Sequence, residues 1–294
     1  MPTRSLSLVE PAPAKVNLTL RVIGRRPDGY HELESLVAFA RVGDRVDFAP
    51  GDGLALDVAG PFAAAAGNLA DNLVLKAARE LKRRAPALAL GRFALTKELP
   101  VAAGLGGGSA DAAAALRLIA RANALALDDP RLADAARASG ADVPVCLDPR
   151  ARVMRGIGEV LSAPLDLPPL PAVLVNPGVP LATKDVFAAF ARLGPPKGAA
   201  AFDGAAVSGA SVETALAALA RGSNDLEPAA VALCPAVADA LAALRATPGC
   251  RLARMSGSGA TCFGLYANES AAAAAAQAVA VGHPAWWVRA TMLG

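Results

Sequence analysis

A chain of 294 residues has room for one large domain or two ordinary ones. Apolar residues make up 54% of it and charged residues 19%, which excludes a disordered chain and allows a sizeable core. The formal net charge of +3 comes with no long basic run; the densest, LKRR at 81–84, reads as a solvated helix face, so no nucleic-acid partner is expected.

The first residues, MPTRSLSLVEPAPAK, carry prolines where a signal peptide needs a continuous apolar region, and a cytoplasmic protein is expected. In residues 15–24, KVNLTLRVIG, alternation predicts a strand with Val16, Leu18, Leu20 and Val22 on one face. Residues 43–50 and 54–60 read as further strands ended by Gly or Pro. Residues 72–85 read as a helix with Asp71 or Asn72 as N-cap. Residues 91–100 return to strand, stopped by Pro100.

Four glycines then crowd residues 104–108, and an alanine-rich helix is predicted from Ser109 to about Leu127, closed by Asp128, Asp129 and Pro130. A short helix over 131–140 ends with Gly140 at its C-cap. In ADVPVCL, Pro144 is expected to hold Val143 extended. The proline-rich run at 161–173 suggests a domain boundary, with domains at 1–160 and 161–294. Beyond it come a strand at 172–175, helices, a second glycine loop (MSGSGATCFGLY), and a terminal helix and strand. The alanine run at 271–282 is short and interrupted by Gln277, so it reads as a soluble helix and no membrane partner is expected. The four cysteines form no C-x-x-C pair and have no histidine at ligand spacing, so no protein-held metal is expected and reduced, mostly buried thiols are. The mixed segments predict an α+β chain.

Strand, glycine loop and helix start together make an anion site. The first amides of a helix lack partners and carry partial positive charge, and glycine lets the backbone approach a phosphate closely. Two better-known motifs do not fit. No lysine follows the glycines as a P-loop requires, and counted from Gly104 the third glycine of G-x-G-x-x-G is replaced by Ser109. Positive charge must then come from a magnesium ion on the nucleotide and from lysine or arginine of another segment. Ser109 is positioned either to cap the helix or to face a phosphate or the metal.

PVAAGLGGGSADAA (100–113) resembles the phosphate loop of the GHMP kinases. PAKVNLTLRVIGRRPDGYHELES (13–35), GADVPVCL (140–147), NPGVPLATKDVF (176–187), NDLE (224–227) and MSGSGA (255–260) extend the resemblance over nearly the whole chain. They are similar to the branch of that family that phosphorylates a cytidine diphosphate methylerythritol. The resemblance implies a two-domain α+β fold: a ribosomal-protein-S5-domain-2-like N-terminal domain, a ferredoxin-like C-terminal domain, and the active site in the cleft between them. It implies transfer of the ATP γ-phosphoryl group to a substrate hydroxyl, in a monomer or homodimer.

By the same resemblance Lys15 and Asp142 fall at the catalytic positions, and Asn17, on the strand face of Lys15, contacts the substrate. Tyr30 and Phe187 fall where two rings sandwich the cytosine, His31 where its edge is hydrogen-bonded, and Thr183 at a substrate contact. The ATP loop comprises Pro100, Val101, Ala102, Ala103, Gly104, Leu105, Gly106, Gly107, Gly108, Ser109 and Ala110, with Asn72 and Lys97 near the adenine. Some relatives carry a second serine where this chain has Ala110, which leaves Ser109 as the loop's only hydroxyl. Other readings are a mevalonate- or homoserine-type kinase of the same family, a nucleotide-binding module without catalysis, and a dinucleotide-dependent oxidoreductase. The missing third glycine disfavours the last.

Overall fold

The structure is a computed structural model and describes residues 8–27, 29–194 and 202–294. By its internal contacts the chain forms two compact units, each built from separate stretches. The first comprises the chain up to Ala14, Gly43–Val101 and Gly106–Pro149; the second comprises Lys15–Val42, Ala102–Leu105 and Arg150–Gly294. The proline-rich run lies within the second.

The strands are β1 (Leu8–Asn17), β2 (Arg21–Arg25), β3 (His31–Gly51), β4 (Leu54–Ala59), β5 (Leu90–Thr96), β6 (Arg152–Gly156), β7 (Val160–Leu161), β8 (Leu170–Asn176), β9 (Leu252–Met255), β10 (Cys262–Leu265) and β11 (Trp287–Leu293). The α-helices are α1 (Leu73–Arg84), α2 (Gly107–Ala122), α3 (Pro130–Ser139), α4 (Val143–Leu147), α5 (Thr183–Leu193), α6 (Val212–Ala220), α7 (Glu227–Leu233), α8 (Ala236–Ala246) and α9 (Glu269–Gly282).

In the first unit β4 pairs parallel with β5, and β5 pairs antiparallel with the later half of β3, with Phe48 opposite Phe93. Their rings stack at 4.5 Å in the core. The crossover from β4 to β5 is α1, whose Val74, Ala77, Ala78 and Leu81 form the buried stripe expected of an amphipathic helix. Asn72 caps it, its side chain accepting the Val74 N–H at 2.9 Å. Helix α2 is different, since residues 110–120 are all buried. Alanine makes this possible, because a small side chain lets α1, α3 and α4 pack closely around it. The two charged residues in that run need internal partners. Arg117 finds Glu10 at 3.1 Å and the Cys146 carbonyl at 2.7 Å.

In the second unit β2 and β6 flank the early half of β3. β11, β8, β10 and β9 run antiparallel in that order, with β8 buried along its whole length. Helices α5, α7, α8 and α9 bury Val186, Phe190, Ala230, Leu241, Leu244 and Val279 in one core with Val173 and Val175 of β8.

Several predicted boundaries are corrected. The strand at 15–24 is two: β1 ends at Asn17, β2 starts at Arg21, and between them Leu18 and Leu20 turn their amides to Leu36 and Ser223. The strand expected to begin at Gly43 begins instead at His31 and runs through Gly43 in the 21-residue β3. Glycine is there for close approach, since a Cβ would lie 2.4 Å from the Ala12 carbonyl oxygen. Helix α2 starts at Gly107 and not Ser109, and ends at Ala122, where Asn123 turns its side-chain amide back to the Ile119 carbonyl. Val143 is helical, not extended. Pro144 falls in the first turn of α4, where its missing N–H costs no hydrogen bond. Among the described residues no single helix is long and apolar enough to cross a membrane.

Candidate active site

The glycine loop ends in an uncapped helix. Gly106 is the N-cap of α2 in a left-handed conformation (φ +60°), and no side chain among the described residues caps the helix. The first amides of α2 are therefore left for an external acceptor, and the macrodipole favours an anion there. Ser109 is the third residue of the helix, so it is not the cap. Gly108 is exposed and Ser109 half-buried, whereas Ala110 is buried.

The preceding loop residues are held within the second unit. Gly104 has φ +76°, and a Cβ on it would sit 2.3 Å from the Ser256 carbonyl oxygen, so only glycine fits. Ser256, fully buried, donates its hydroxyl to the Gly104 carbonyl at 2.8 Å and accepts the Asn17 amide at 3.0 Å. The Thr261 amide donates to the Ala103 carbonyl and the Lys15 amide to the Leu105 carbonyl. The second glycine loop, a turn between β9 and β10, thus docks onto the first loop and the end of β1. Asn224 supports it by donating to the Met255 and Gly257 carbonyls, both at 2.8 Å. Its Ser258 hydroxyl lies 2.9 Å from that of Thr183, at the start of α5.

Lys15 and Asn17 are both buried at the end of β1. Asn17 donates its side-chain amide to Ser35 at 2.7 Å, while its side-chain carbonyl oxygen has no partner among the described residues, an acceptor held ready in a buried place. Asp142 is half-buried at the N-cap position of α4, where its side chain does not cap the helix; α4 packs on α2. Tyr30 stands 60% exposed at a turn closed by its carbonyl accepting the Arg26 amide. The ring stacked on Phe187 is that of His31, at 4.7 Å. Burial, and then the charge of Arg25, lower the His31 pKa from its ordinary value, which favours the neutral imidazole.

Lys97 and Asn72 have other duties besides any ligand. The Asn72 side chain caps α1. The buried Lys97 ammonium bridges Asp44 and Asp111 at 2.5 and 2.8 Å. Among the described residues no group of three or more His, Cys, Asp or Glu is placed to hold a metal ion. Sequence reasoning missed Asn224, Asp44 and Asp111, and only the NDLE string pointed at the first; for Ser256 to Gly259 the sequence left open a loop closing over the site or a tight turn between strands.

The family model for the GHMP kinases N-terminal domain matches residues 72–148, and that for the GHMP kinases C-terminal domain matches 208–282. The chain belongs to the GHMP kinases. Within this family it is 58% identical to the 4-diphosphocytidyl-2-C-methyl-D-erythritol kinase of Rhodopseudomonas palustris, over 98% of each chain. It is also 58% identical to the enzyme of that name from Methylorubrum extorquens, over 96% of this chain and 97% of the relative. A crystal structure of 4-(cytidine 5'-diphospho)-2C-methyl-D-erythritol kinase matches with a TM-score of 0.78 and 37% identity, covering 98% of this chain and 99% of that one. The two-domain GHMP kinase fold, with its mixed α and β content, is therefore that of this ATP-dependent small-molecule kinase family.

Proposed function

We propose that this chain transfers the γ-phosphoryl group of ATP to a hydroxyl of 4-diphosphocytidyl-2-C-methyl-D-erythritol, giving the 2-phosphate and ADP in the non-mevalonate route to isoprenoid precursors. The relatives of that name at 58% identity support the substrate. The observation that carries the chemistry is the uncapped, glycine-lined start of α2. Its amides, with the backbone of residues 100–110, would bind the phosphate tail. Phosphoryl transfer asks the protein chiefly for positioning and charge stabilisation.

In this reading Asp142 accepts the proton of the attacking hydroxyl, and Lys15 favours its ionised form and orients the nucleophile. The unpartnered Asn17 carbonyl oxygen takes a hydroxyl of the acceptor. Tyr30 and Phe187 bind the faces of the cytosine, His31 its edge, and Thr183 a further polar group; binding the base displaces His31 from Phe187. Asn72 and Lys97 stand beside the nucleotide, with side chains already engaged. Mg2+ arrives on the ATP phosphates as part of the substrate, where it offsets their charge. The protein acts in the cytoplasm on a small molecule, as a monomer or homodimer.

A coupled ADP-release assay with each acceptor tests this. The expected result is turnover with the cytidine diphosphate substrate and none with mevalonate or homoserine. Turnover of mevalonate alone would overturn the reading.

A further inference from the structure

Asp111 is a charged side chain in the first turns of a helix buried on every side. Its Oδ2 accepts from the Lys97 ammonium at 2.8 Å, and its Oδ1 meets no partner among the described residues. The same ammonium donates to Asp44 Oδ2 at 2.5 Å. Asp44 Oδ1 in turn accepts the backbone amides of Glu98 and Leu99, at 2.6 and 2.8 Å. All three side chains are at least nine-tenths buried. Gly107 rests on the cluster: a Cβ there would lie 3.4 Å from both Asp44 Oδ2 and Lys97 Nζ.

One ammonium therefore ties together the two ends of the glycine loop. Through Asp44 it grips the backbone just ahead of Pro100, and through Asp111 it grips α2 just beyond Gly108. Stability alone does not account for such a cluster, because apolar side chains of similar volume usually hold a buried site as well or better. What directional bonds supply is a fixed spacing.

We propose that the Asp44–Lys97–Asp111 side-chain cluster positions ATP through the backbone: Asp44 and Asp111 do not touch the nucleotide, and with the Lys97 ammonium that ties them they set where the first amides of α2 point. The inference rests on the ATP-using reading above. It also explains how a surplus carboxylate is tolerated below a polyanion's seat. Burial raises the Asp111 pKa, Lys97 opposes this, and Asp44 adds to it, with the balance upward. Burial works against the Lys97 charge too, but Asp111 and Asp44 outweigh it and its pKa rises.

The test is calorimetric titration of the full-length chain and its variants, with Mg-ATP and separately with the cytidine diphosphate acceptor. Asp111→Leu removes the grip on α2. Asp44→Asn keeps an oxygen for the Glu98 and Leu99 amides but turns an amide donor toward Lys97. Each is expected to weaken ATP at least about tenfold and leave acceptor affinity within about twofold, since small misplacements at a reacting site are costly. Asp111→Asn still offers Lys97 an oxygen and is expected to recover ATP affinity to within about threefold of wild type. Wild-type ATP affinity in folded Asp111→Leu and Asp44→Asn overturns the proposal, as does equal loss of both ligands. Should only one of the two fold, the other carries the same comparison; should neither fold, the cluster is a folding element and the proposal fails. A wild-type chain that binds no ATP overturns the kinase reading itself, and the wild-type titration alone reveals it.

Discussion

Asp142 shows how a single residue can be read only through its neighbours in sequence. By spacing alone it is a turn residue after Gly140, and the structure does place it at a helix start. There it does not do a turn residue's usual work, because its side chain leaves α4 uncapped. A carboxylate that serves as proton acceptor is expected to matter for rate and not for nucleotide affinity. Asp142→Asn should lower turnover by about a thousandfold, with the ATP dissociation constant unchanged by calorimetry; normal turnover would return Asp142 to a structural role. Tyr30 makes the complementary case. It is exposed while Phe187 and His31 stack, which core aromatics would not leave so open. Stacking on a base is worth roughly 1–3 kcal/mol per ring, so Tyr30→Ala should raise the acceptor KM about tenfold and leave that for ATP alone. Equal losses for both would indicate misfolding.

At the scale of elements, periodicity and caps located most of the helices and strands, and the misplacements have definite causes. Asn72 fixed the start of α1 because a side-chain cap is written in the sequence. The start of α2 was misplaced by two residues because its cap is a backbone conformation, the left-handed Gly106, which has no side-chain signature. The short α4 was missed because Pro144 disfavours helix before it everywhere except in a first turn. Glycines with a left-handed φ are likewise not equivalent. Gly104 needs both its left-handed φ and its missing Cβ, whereas Gly53 has a comparable φ of +86° and open space around it. Gly53→Ala should therefore cost only the conformational penalty, about 1–2 kcal/mol. Gly104→Ala must also push the Ser256 carbonyl away, and should cost clearly more and raise the KM for ATP. Urea melts of the two variants, with ATP kinetics beside them, check this; equal destabilisation would mean that the second glycine loop does not brace the first.

Across the whole molecule, class and family were legible because local strings carry them, while the bonds that organise the candidate site were not. Ser256 reaches Gly104 and Asn17 across 152 and 239 residues of chain, and Lys97 gathers Asp44 and Asp111 from two other segments. No periodicity announces such links. The expectation about the thiols was of a global kind, resting on composition and spacing, and the structure sharpens it. Cys146, Cys234 and Cys262 are buried, and Cys250 is partly exposed. Burial pushes the Cys250 thiol up, and the Cys262 thiol much further. Since the thiolate is the reactive form, all these positions should be slow. Ellman's reagent should label at most Cys250, slowly, in the native protein, and all four cysteines in denaturant. A thiol reductant should leave the melting temperature unchanged, because the cysteines are expected to be reduced thiols already. Rapid labelling of two or more native thiols would mean that the cores around α2 and β10 open far more readily than their packing implies.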